Sequence, residues 1–166
     1  MFETTVNLDS SCHPQPRLVA MLSVEDNLMP LSWHMPLSKE PFIYAVSMRS
    51  SNFSHELMMK NREFALNFLD FKYAEKHRKM GDVHGFECNK FVESGLTQKD
   101  AKIIKATLIE ESYMIYECQI IDVLNYGDHD MFVARVVLIH NRENGTFEPT
   151  LFLGKGRYET LSRKDS

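Results

Sequence analysis

With 166 residues, 43% of them hydrophobic and 25% charged, the chain is long enough for one well-buried core and has the make-up of a single globular domain. A formal net charge of −4 and a pI of about 6.0 exclude the global basic field that draws proteins to nucleic acid. No stretch approaches about 18 apolar residues, and the opening "MFETTVNLDSSCHP" lacks a charged segment followed by an apolar one, so neither a membrane span nor a leader is expected. Cys12, Cys88 and Cys118 are odd in number, far apart and form no Cys-x-x-Cys, which points to a reducing cytoplasm. The sequons at Asn52 and Asn144 are then chance matches.

In chain order the signals are mostly β. Residues 17–24, "RLVAMLSV", form an apolar run between "HPQP" and "EDN" and predict a strand. After a tight polar turn, residues 27–35 alternate as a second strand, although Pro30 lies inside it and Pro36 and Pro41 follow. The third strand, residues 41–48, starts with a proline, where the missing N–H costs least. "SHELMMKN" then reads as a helix with Ser54 at its N-cap and Glu56 in its first turn. Residues 63–70, "EFALNFLD", are a fourth strand, and residues 73–81 a second short helix ended by Gly81. Residues 82–98 are weakly hydrophobic and too irregular to be core. Two long β patterns, residues 112–123 and 131–140, flank "NYGDHD" and predict a long twisted hairpin. The tail "PTLFLGKGRYETL" is a short strand and a polar, glycine-spaced turn. Several strands with two or three short helices point to a mainly β fold, a barrel or sandwich with helical decoration.

Most candidate chemistry has an ordinary explanation. His77, His84 and Cys88 are spaced H-x6-H-x3-C, which fits no common zinc pattern, and His77 falls on a charged helix. "LGKGR" at residues 153–157 is no Walker loop, and no G-x-S-x-G is present. Cys118 lies mid-strand and reads as core. The ten methionines read as adaptable packing.

One constellation remains. "SMRSSNFSHE", residues 47–56, joins an arginine, serines and an asparagine to the start of a helix, the donor set a phosphate ester uses. Taken alone, it is equally a capping loop with a surface arginine. Beside it stands "NLMPLSWH", with the only tryptophan and a proline that interrupts the ladder. Proline belongs on an edge or at a bulge, where backbone N–H groups turn toward a ligand. A flat, amphipathic, phosphorylated ligand would use both segments.

"NLMPLSWHMPLSKEPF", "VSMRSSNFSHELM", "EFALNF", "NKFVESGLT", "YECQI" and "GDHDMFVARV" occur in this order, and the chain resembles the flavin reductase-like family of FMN-binding split barrels, which includes flavoredoxins. The resemblance runs over about residues 14–161 of a single domain spanning 1–166. It implies a Greek-key split β-barrel of six to seven strands, a homodimer, and one FMN per subunit near the dimer interface. Carried onto this sequence, Asn27, Met29, Pro30, Leu31, Ser32 and Trp33 lie along the isoalloxazine, and Ser47, Met48, Arg49, Asn52 and Ser54 meet the ribityl chain and phosphate. Lys90 and His129 approach the flavin from the second half, and Tyr158 covers the ring. Position 30 holds proline where many reductases have threonine, a feature nearer the flavoredoxin branch.

The chemistry agrees with that resemblance. Reduced FMN carries negative charge at its N1 edge, so a lysine or histidine there tunes its potential, and no protein nucleophile is needed. The expected function is an FMN-binding oxidoreductase, an NAD(P)H-dependent flavin reductase. The alternatives are an electron carrier reduced by a protein partner, and a non-redox ligand-binding barrel. Absence of a GxGxxG does not separate them.

Overall fold

The computed structural model describes residues 15–143 and 145–161; Cys12 and Asn144 lie outside them. The strands are β1 (Arg17–Leu18), β2 (Ala20–Val24), β3 (Asn27–Leu31), β4 (His34–Ser38), β5 (Ile43–Arg49), β6 (Glu63–Phe68), β7 (Gln98–Lys99), β8 (Leu108–Ile109), β9 (Met114–Tyr126), β10 (His129–Asn141), β11 (Leu151–Gly154) and β12 (Arg157–Glu159). The helices are α1 (Phe53–Asn61), α2 (Ala74–Asp82) and α3 (Lys90–Ser94).

Seven strands form one antiparallel sheet in the order β3-β2-β6-β9-β10-β5-β4. Its two edge strands, β3 and β4, are separated in the chain only by Ser32 and Trp33. A sheet whose outer edges are tied by so short a link has to curl until they nearly meet, and the result is a split barrel. The second predicted strand is therefore two strands, broken at Ser32–Trp33. Pro30 inside it and Pro36 just after it both fall on edges, on β3 and β4, where no neighbour needs their absent N–H. Trp33 still anchors the link, its carbonyl accepting from Ser47 N at 2.9 Å.

β2 is buried along its whole length because both of its faces are covered. Ala20, Leu22 and Val24 join Phe64, Leu66, Val46 and Phe132 inside the barrel. Met21, on the opposite face, packs with Leu28, Leu69, Met80, Phe91, Leu96 and Ile109 beneath the helices. The first predicted strand breaks at Val19, and β1 leaves to pair with β11 in a separate three-stranded sheet.

Four further expectations are corrected. Asn52, not Ser54, occupies the N-cap of α1, and it makes no side-chain capping bond; Ser54 is buried instead. The 82–98 segment is not excluded from the core: Asn89 caps α3 by accepting from Val92 N at 3.2 Å, and Phe91 and Leu96 are buried. Its apolar residues are too few to show a period, so the packing was invisible in sequence. His77 is wholly buried despite its charged neighbours, because α2 turns it inward together with Met80, one helical turn on. The tail forms a β11–β12 hairpin whose turn places Lys155 and Gly156 at φ 51° and 70°. The long hairpin is as expected, with 13 residues in each of β9 and β10.

Candidate functional site

A groove follows the split in the barrel. Its widest chamber, about 630 Å³, lies between β3, the Ser50–Ser54 stretch, the end of α2 and the 83–86 segment, and Lys90 lines it. A neck of about 240 Å³ is lined by residues 29–33, 47–49, Asn52 and His129. An apolar chamber of about 370 Å³ follows, walled by Trp33, Met35, Val46 and Met131, with Arg17 at its side. Met29, Pro30 and Asn52 border both of the first two chambers, and Ser32, Trp33 and Ser47 both of the last two, so the three adjoin in series.

Thirteen of the fourteen positions named from sequence line this groove: Asn27, Met29, Pro30, Leu31, Ser32, Trp33, Ser47, Met48, Arg49, Asn52, Ser54, Lys90 and His129. Tyr158 does not line it. That ring stacks on His77 of α2 with centroids 6.1 Å apart and lies 5.4 Å from Phe152. Ser50, Ser51, Phe53 and Glu56 lie within the 47–56 constellation though they were not named singly, and sequence reasoning missed the wall of Met80, Gly81, Val83, His84, Gly85 and Phe86. The signal available was the pair of glycines in an otherwise polar stretch.

Asn27 and Ser54 are joined across the groove floor, Asn27 Nδ2 donating to Ser54 Oγ at 2.7 Å. Asn27 Oδ1 is buried with no hydrogen-bond partner among the described residues. A buried carbonyl oxygen left in that state costs free energy that a ligand donor recovers. Gly85 has to be glycine here: a Cβ would stand 2.0 Å from Asn27 Oδ1 and 2.9 Å from Phe53 Cδ1.

Lys90 is 5% exposed, and its Nζ donates to Met80 O at 3.0 Å. Burial lowers its pKa from the ordinary lysine value, against a smaller opposing influence of Cys88. No carboxylate among the described residues forms an ion pair with it. A desolvated ammonium with one carbonyl acceptor keeps donor capacity for an anion. At the neck, His129 stacks on Trp33 with centroids 4.6 Å apart and planes 23° apart, giving a flat aromatic wall. The His129 Nδ1 is 2.7 Å from Asp128 Oδ1, and Arg49, largely exposed, reaches the same carboxylate at 3.7 Å. The Arg17 guanidinium lies 5.9 Å above the Trp33 ring. No group of three or more metal-ligating side chains is found among the described residues, and no described helix is long and apolar enough to cross a membrane.

The sequence model of a family described as "Flavin reductase like domain" matches residues 10–162. Among solved structures, an FMN-binding protein from Thermus thermophilus, with bound 1-cyclohex-2-enone, is 26% identical with a TM-score of 0.87, over 100% of this chain and 98% of that one. The flavoredoxin from Methanosarcina acetivorans is 20% identical with a TM-score of 0.85, over 99% and 95%. Among curated proteins, an uncharacterized protein of Aeropyrum pernix is 30% identical over 76% of this chain, and the match spans 51% of that protein's length, about half. An uncharacterized protein of Archaeoglobus fulgidus is 27% identical over 82% of this chain and 78% of its own.

Proposed function

Since the chain belongs to the flavin reductase like domain family, we propose that the groove binds FMN and that the protein is an NAD(P)H-dependent flavin reductase. The observation that carries this reading is the lining of the wide chamber: a buried ammonium on Lys90 with no paired carboxylate, beside an orphaned amide oxygen on Asn27. Those are a donor for an anionic flavin edge and an acceptor for a flavin N–H. Gly85 supports the same reading by letting the 83–86 segment pack directly against Asn27 and Phe53, which fixes this wall of the chamber.

In this reading Asn27 to Trp33 lies along the ring system, and Lys90 and His129 hold negative charge at its edge. Ser47, Arg49, Asn52 and Ser54 take the ribityl chain and phosphate, joined by Ser50 and Ser51. The first-turn N–H groups of α1, which no side chain caps, strengthen the attraction for phosphate. Bound FMN would supply reversible two-electron transfer. The protein's own part is to bind, orient and set the electrostatics, while Trp33 and His129 present a flat surface. The adjoining apolar chamber gives a nicotinamide ring room beside the flavin, and this favours direct reduction by NAD(P)H over reduction by a protein partner. The Thermus thermophilus protein carries a small cyclic ligand, and a chamber of about 370 Å³ here suits one of that class. The working unit is a cytoplasmic homodimer.

The test is anaerobic. Purified protein reconstituted with FMN should be yellow and should bleach within seconds of adding NADH or NADPH. Light scattering on the same sample should give twice the chain mass. A colourless protein after reconstitution overturns flavin binding. A yellow one that bleaches only with a reduced iron–sulfur protein assigns it as an electron carrier.

A further inference from the structure

A second cavity, of about 510 Å³, opens at the other end of the long hairpin, between residues 99–102, 110–115 and the end of β10. His129 marks the flavin groove and His140 this cavity. The strand between them is roughly 35 Å long at about 3.3 Å per residue, so this is a separate place on the molecule.

Its lining is cationic in a chain of net charge −4. Lys99, Lys102 and Arg142 all border it, against one lining carboxylate, Glu110. That carboxylate is already engaged by Lys99, and Arg142 Nη2 donates to the Glu110 carbonyl at 2.6 Å. Lys102 has no ion pair among the described residues. A second carboxylate, Glu117, lies fully buried behind the wall. It accepts from the backbone N–H groups of Lys102, Ile103 and Ile104 at 2.9, 2.8 and 3.0 Å, and stands 2.7 Å from His140 Nε2. Burial works to raise its pKa, yet these bonds outweigh burial and hold it below the ordinary carboxylate value. Its oxygens are occupied, so it anchors the wall and does not compete for the lysines.

The decisive group is Ser112. The residue is 6% exposed and borders the cavity, and its Oγ is buried with no hydrogen-bond partner among the described residues. A hydroxyl removed from water without a partner costs free energy, and a ligand oxygen relieves that cost. Tyr113, Ile115 and Ile139 supply an apolar wall beside it. We propose that this cavity is a second ligand site, taking a phosphate monoester on a small aromatic or aliphatic body. Lys102 and Arg142 hold the phosphate charge, Ser112 donates to one of its oxygens, and Tyr113 packs on the body. A phosphate offers close to two charges and three acceptor oxygens, which this donor set matches.

The probe is phenyl phosphate, titrated calorimetrically into the protein with and without saturating FMN. With saturating FMN, one-to-one stoichiometry is expected, and without FMN the same site fills whether or not the open groove takes a further equivalent, so the result does not depend on the flavin reading. Phenol, lacking the phosphate, should bind at least about tenfold more weakly. Lys102→Ala should weaken phenyl phosphate about tenfold, the loss of one charge-assisted hydrogen bond. Its side chain is exposed, and only its backbone N–H is used in the fold, so the variant keeps its melting temperature. Ser112→Ala should weaken binding about three- to tenfold, and Lys90→Met, in the groove, should leave it unchanged. Absence of binding at millimolar phenyl phosphate overturns the proposal, as does binding that FMN abolishes or that Lys102→Ala leaves intact. So does a Lys102→Glu variant that converts a dimer to a monomer while wild type binds no phenyl phosphate, because a second copy of the chain then covers the cavity.

Discussion

Replacing Lys90 by methionine keeps an unbranched chain, one atom shorter, and removes the charge together with its hydrogen bond to Met80 O. The wild-type ammonium is 5% exposed and has one protein acceptor, Met80 O at 3.0 Å. In the flavin-free protein the substitution therefore removes a desolvated charge that nothing pairs, and the melting temperature should hold or rise. In the flavin complex the same change removes a charge-assisted contact of ~1.5–3 kcal/mol, so FMN affinity should fall about ten- to a hundredfold. If that contact strengthens on reduction by a similar amount, the two-electron midpoint potential should drop by roughly 30–60 mV, since ~30 mV corresponds to ~1.4 kcal/mol. Because Lys90 is buried, the shift should persist at high salt, unlike that of an exposed cation. Calorimetric melting of the flavin-free variant, fluorescence titration with FMN and spectroelectrochemistry at low and high salt read the three consequences. An unchanged potential at both salt concentrations would remove Lys90 from the flavin's surroundings. A lower melting temperature without flavin would show that the charge is compensated and the electrostatic reasoning wrong.

Arg49 should matter less than its place in the serine-rich loop suggests, because it is largely exposed and already 3.7 Å from Asp128. Arg49→Ala should weaken FMN less than tenfold and leave riboflavin unaffected, with the difference fading in high salt; equal losses for both flavins in a titration would refute a phosphate contact. His77 should make the fold acid-sensitive, since burial depresses its pKa from 6.5 to about 4. The unfolded chain then binds the proton that the folded one refuses between those values, so stability falls as pH drops from about 6.5 to about 4 and levels off below. The gap, at ~1.4 kcal/mol per pH unit, amounts to about 3 kcal/mol. Urea melts of wild type and His77→Leu should diverge over that window and converge above it; parallel pH profiles would disprove the assignment.

The parts of this protein that local chemistry dictates were legible in its sequence. The long alternating runs made β9 and β10, because thirteen residues at period two admit little else. Proline at 30 and 36 marked edge strands, and the serine-rich loop marked the start of α1, because backbone donors and caps are properties of neighbouring residues. Eleven groove positions could be named together because β3, its link and the Ser47–Ser54 stretch are short contiguous segments, and Lys90 and His129 came from the resemblance alone. Tertiary structure decided the rest. That β3 and β4 are the two edges of one sheet follows from six strand pairings, three of which, β2–β6, β6–β9 and β5–β10, join strands distant in the chain. The inward turn of His77, the burial of Lys90 and the close approach at Gly85 arise where α2, α3 and the 83–86 segment close over β3, and composition there reads as polar surface. Charge is visible in a sequence, whereas the company it keeps is not. A buried lysine with no paired carboxylate and a serine with an idle hydroxyl appear only once distant segments have packed and excluded water around them.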